Sequence, residues 1–140
     1  MSDFRDRFTD GMITYLHGVI IGKMMYMEGN LTKEDVKIAV QQSLADNNQR
    51  IEQGEMKIFI RCMVLDVLKY AQCNNDDEFI TYFSSLLPNL HTAAELYQSA
   101  AKSINEFCKD NLDDFLDANF ETYVSRAAQE KQNQGYLVPM

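Results

Sequence analysis

The chain has 140 residues, of which 46% are hydrophobic, and carries 21 acidic against 13 basic side chains, a net charge of −8. That length and composition suit one domain with a core of its own, residues 1–140, ending in a short tail at 133–140. An acidic balance of this size disfavours nucleic acid and anionic membrane as partners, because both require a basic surface; it favours a cationic partner, or no partner and simple solubility.

Helical periodicity runs through nearly the whole sequence, and strand and hairpin signals are poor, so the expected fold is all-α, an irregular bundle of five or six helices. The first helix is expected over about 3–27, with Phe4, Phe8, Tyr15, Leu16, Val19, Ile20, Met24 and Met27 on its apolar side. Gly18 and Gly22 lie four apart inside it, a spacing that usually admits a second helix or a ring. Each glycine costs about 1 kcal/mol relative to Ala in a helix, so a packing reason is expected. Gly29 suits the end of this helix, and Thr32 with Asp35 suits the start of the next.

The polar run 45–55 reads as a loop or a weak helical extension. Residues 56–73 are the most apolar part and predict a central buried helix, with Lys57, Arg61, Lys69 and Gln72 as its polar row. Asn75 and Glu78 form a capping-box-like start for a fourth helix, which Pro88 ends. Thr92 and Glu95 form another capping box and open a long helix. At Asp110–Asn111 that helix either continues to about Gln132 or breaks and restarts. The apolar tail 133–140 either packs across a groove or frays.

Chemical motifs are scarce. His17 and His91 have no second ligand at metal-binding spacing, and the calcium-loop pattern fails at Leu112 and Phe115, so neither a metal nor a cofactor is expected. His17 is expected at the edge of the first helix, hydrogen-bonded or wet. Cys62, Cys73 and Cys108 are odd in number and lack any CxxC spacing, which reads as reduced thiols in a cytoplasmic protein. Nucleophile elbows and phosphate loops are absent from the sequence, so no catalytic residue is assigned and the expectation is a protein that is not an enzyme. "MSDFRDRFTD" has none of the marks of a secretory leader.

Charge is the strongest remaining signal. Residues 1–70 hold nine basic and ten acidic side chains, whereas residues 71–140 hold four and eleven. Glu106, Asp110, Asp113, Asp117 and Glu121 would share about 80° of arc on a straight helix. Like charges three or four residues apart cost roughly 0.2–0.5 kcal/mol per pair. Such a row is either a solvated face or a docking face that a basic partner neutralises.

The docking reading makes Asp110, Asp113, Asp114, Asp117 and Glu121 the partner-binding residues of an immunity-type or antitoxin-like inhibitor. Its partner would be a basic protein such as a nuclease toxin. Asp76, Asp77 and Glu78 would extend the patch if the fold brings them close. The alternative is a secretion chaperone or adaptor that holds an apolar segment on a Met-rich surface around Met24, Met25 and Met27.

Overall fold

A computed structural model describes residues 3–53, 57–90 and 92–134. Its described residues form five helices and no strand: α1 (Phe4–Met25), α2 (Lys33–Gln53), α3 (Lys57–Tyr70), α4 (Asp76–Leu86) and α5 (Ala93–Asn133). The chain is an all-α bundle. Among the described residues, no helix is long and apolar enough to cross a membrane.

Local chemistry sets most helix starts. Asp3 caps α1 by accepting from the Asp6 amide at 2.9 Å, and Thr32 accepts from the Asp35 amide at the head of α2 at 3.1 Å. Thr92 and Glu95 form a complete capping box at the start of α5. Each side chain satisfies a backbone N–H that has no partner within its helix. Asn75 caps α4 by accepting from the Asp77 amide. Glu78 does not complete a capping box; its carboxylate is paired with Arg7 of α1.

Other boundaries differ from expectation. Tyr26 rather than Gly29 caps the end of α1, and Gly29 lies beyond it at φ +82°. The polar run after Ala45 is helical as far as Gln53, with Ile51 buried beneath it. Gly54, Glu55, Met56 and His91 lie outside the described residues, as does the tail from 135 on.

The expected central helix is displaced from the centre. α3 packs on α1 and α5, but its outer side leaves Ile58 79% exposed, with Cys62, Leu65 and Tyr70 also open to solvent. The central elements are α5 and α1, each of which touches all four other helices. α5 buries Leu96, Ala100, Ala101, Ile104, Cys108, Leu112, Leu116, Tyr123 and Ala127 at helical spacing.

α5 passes through Asn111 unbroken. The Asn111 side chain donates to the Phe107 carbonyl at 2.8 Å, a local bond compatible with continued helix. Cys108 and Leu112 are buried on either side. The helix kinks about two turns after Asn111, at Asn119 (φ −131°, ψ 16°), where the side chain reaches the Phe115 carbonyl at 3.3 Å.

Two pairings position the faces of the bundle. α2 runs antiparallel to α5, and a ladder of polar contacts marks their register. Lys33 meets Asp117 and Lys37 meets Asp113. Further along, the Leu44 carbonyl accepts from Asn105 and the Ile51 carbonyl from Gln98. Asn105 is buried, and its Oδ1 has no partner among the described residues.

α1 runs antiparallel to α3. A Cβ at Gly11 would lie 2.6 Å from the Val67 carbonyl, so only glycine fits at that crossing. Gly18 and Gly22, the expected contact glycines, have nothing within 4 Å of such a Cβ.

Candidate functional site

The acids of the α5 row are all exposed, but they divide into two flanks. On the flank facing α2, Asp113 lies 3.2 Å from Lys37 and Asp117 lies 3.4 Å from Lys33. Asp113 holds the Lys37 ammonium above its usual pKa. Glu106 lies 3.6 Å from Lys109, one turn along the same helix. These pairs are exposed, so water and salt screen them and each adds little to stability. The charge imbalance between the two halves of the sequence is thus partly corrected in space, because the α2 lysines come from the first half.

Asp110, Asp114 and Glu121 make up the outer flank. No cation among the described residues comes within ion-pair distance of them. On α5 these three lie within about 40° of one another by helical phase, with the Asn119 kink standing between Asp114 and Glu121. The row is therefore bent rather than straight. Of the five residues assigned from the sequence, all are on the surface; two are already matched from α2 and three are not.

Asp76, Asp77 and Glu78 do not extend this patch. They open α4, whose Phe79 stacks on Tyr97 of α5 at 5.0 Å between ring centroids. Tyr97 is about 25 Å along the α5 axis from Asp114, at 1.5 Å per residue. The second acidic group thus sits towards the other end of the bundle.

The methionines at the end of α1 are mainly core. Met24 and Met25 are buried and Met27 is half-buried, while Tyr26 is 74% exposed. What remains open is a groove of about 510 Å³ between the end of α1 and the last turns of α5, where Met24, Met27 and Leu31 face Val124, Ala127 and Ala128.

Burial holds two of the three thiols in the protonated form. Cys108 is fully buried and its pKa is pushed up to about 12 by that burial. Cys73 is half-buried, its thiol donates to the Asn75 carbonyl at 2.8 Å, and burial raises its pKa too. Cys62 is exposed, and all three are free. Among the described residues no three His, Cys, Asp or Glu side chains converge as metal ligands would.

His17 is hydrogen-bonded, and its partner was not evident from spacing. Its Nδ1 lies 2.7 Å from the Tyr123 hydroxyl, and its ring rests on Phe115 at 5.2 Å. Burial, with a smaller push from Arg126, lowers the His17 pKa below its ordinary 6.5. A histidine on α1 and a tyrosine 106 residues later carry no mutual signal in a lone sequence.

Comparison with protein-family models, with curated proteins and with solved structures finds no match to this chain, so what it can do has to follow from its own side chains.

Proposed function

We propose that the protein is a non-enzymatic inhibitor that occludes a basic protein partner, with a nuclease toxin as the class that fits best. The contact is the acidic face of α5. Asp110, Asp114 and Glu121 form its open edge, and Asp113 and Asp117 lie behind it. One observation carries this reading: a helix-borne row of three exposed carboxylates has no cation of its own among the described residues, beside a flank that does.

The physics is that of steering. Fixed like charges raise the local potential, attract a cationic surface from several ångströms away and speed its arrival more than they deepen its binding. A nuclease active site must be positive to hold phosphates, so an acidic cover that sits over it blocks substrate one-to-one. Lys33 and Lys37 would act as a positive border that sets which way the partner sits.

The test is affinity capture from the native host at low and high salt, followed by assay of the captured protein's nuclease activity with and without this chain. Wild-type protein is expected to capture a basic protein at low salt, to lose it at high salt and to suppress its activity. The triple reversal Asp110→Lys, Asp114→Lys, Glu121→Lys is expected to abolish capture. Capture that ignores both salt and the reversal overturns the proposal.

The groove over Met24 and Met27 supports a second reading, an adaptor for an apolar segment. Salt-independent capture that Leu31→Asp removes would select it.

A further inference from the structure

The polar cluster where α1 meets the kink of α5 has the construction of a latch. Asn119 leaves helical geometry there and Tyr123, one turn later, is 1% exposed. The Asn119 amide carries two N–H donors. One goes to the Phe115 carbonyl. Burial raises the Tyr123 phenol pKa, so the hydroxyl keeps its proton. Among the described residues His17 Nδ1, 2.7 Å away, is the acceptor within reach of that buried proton, so the phenol donates and Nδ1 accepts. The Tyr123–His17 bond thus ties the turn after the kink to α1 and requires an unprotonated Nδ1.

We propose that His17 is a pH-sensitive latch: while neutral it ties the segment of α5 beyond the kink to α1 through Tyr123, and on protonation it releases that segment and opens the groove over Met24. A proton on Nδ1 turns an acceptor into a donor. The Tyr123 hydroxyl proton then loses its acceptor in a buried place, where an unmade bond is costly.

The titratable and charged groups facing His17 from α5 are Tyr123 and Arg126, and Arg126 disfavours a second cation. Among the described residues no ion pair or hydrogen bond joins His17 to a charged side chain of α2, α3 or α4. The released segment, 120–133, carries Val124, Ala127 and Ala128, one wall of the groove. This inference does not depend on the acidic row.

Hydrogen exchange of the full chain, corrected for intrinsic rates, tests it at about pH 7.5 and about pH 5, either side of the ordinary histidine range. Protection of amides 120–133 is expected to fall at least about tenfold at the lower pH, while amides 96–116 keep theirs. His17→Asn places an amide oxygen near the Nδ1 position and cannot titrate; it is expected to remove the step. His91→Asn is expected to leave it in place. The imidazole titration of His17 by NMR in wild-type protein should track the same midpoint, which keeps the test open if a variant fails to fold. A wild-type segment with no step, a step that survives His17→Asn, or loss spread evenly along α5 overturns the proposal.

Discussion

The two halves of α1 meet the bundle in opposite ways. The first half is in tight contact: Gly11 lies against the α3 backbone, Arg7 reaches the Gln72 carbonyl and pairs with Glu78, and Phe4 and Phe8 stack on Tyr82 and Phe83. The second half is looser. Gly18 and Gly22 face open space, and the cross-helix hydrogen bond of this half runs between His17 and Tyr123. The lesson concerns small residues. Two glycines at the spacing that normally signals close approach do nothing of the kind, and the glycine that does allow approach has no such partner.

Substitutions at these glycines and at the latch can break or sharpen that contrast. The largest effect is expected from Gly11→Ala, whose methyl would strike a backbone carbonyl that cannot rotate away. Urea denaturation should show a loss of about 1–3 kcal/mol. An unchanged midpoint would mean that α1 and α3 have room to separate.

Next comes Tyr123→Phe, which leaves His17 Nδ1 without its donor; a loss of about 0.5–1.5 kcal/mol is expected at neutral pH. The pH dependence has a definite sign. Because the His17 pKa in the folded chain lies below its ordinary 6.5, the folded state binds fewer protons than the unfolded state between those two values. Its contribution is therefore complete above about pH 6.5 and is lost as the pH falls through the folded value. Urea midpoints of wild type and His17→Asn measured across that range should diverge on this account.

The smallest effect has the opposite direction. Gly18→Ala and Gly22→Ala should each stabilise by up to about 1 kcal/mol, since alanine favours the helix and meets nothing. Destabilisation at either position, read from the same denaturation curves, would show that something approaches there in solution.

Much of the fold was legible because helix starts are local. Thr32, Asn75 and Thr92 each cap the helix they predict. The Asn119 kink was not legible, because Asn111 has the same phenylalanine four residues before it and stays helical. What separates the two asparagines is tertiary: the turn after Asn119 is tied to α1 through Tyr123 and His17. The exposure of α3 was hidden because an apolar run reveals neither which side is covered nor by what. For the candidate site, periodicity placed all five acids on the surface. It could not supply Lys33 and Lys37, whose approach depends on how α2 is seated against α5.

The α2–α5 ladder also constrains how the protein can be made. Each rung joins a residue in the first 51 to one after position 97, so none exists until most of the chain has left the ribosome. At about 5–20 residues per second, α2 waits several seconds for the helix that covers Val36, Val40 and Leu44. During that interval α1 to α4 have one another but not the helix that buries their remaining apolar faces. Vectorial synthesis thus makes closure of the bundle a late event, and leaves the early helices dependent on whatever shields nascent apolar surface in the cell.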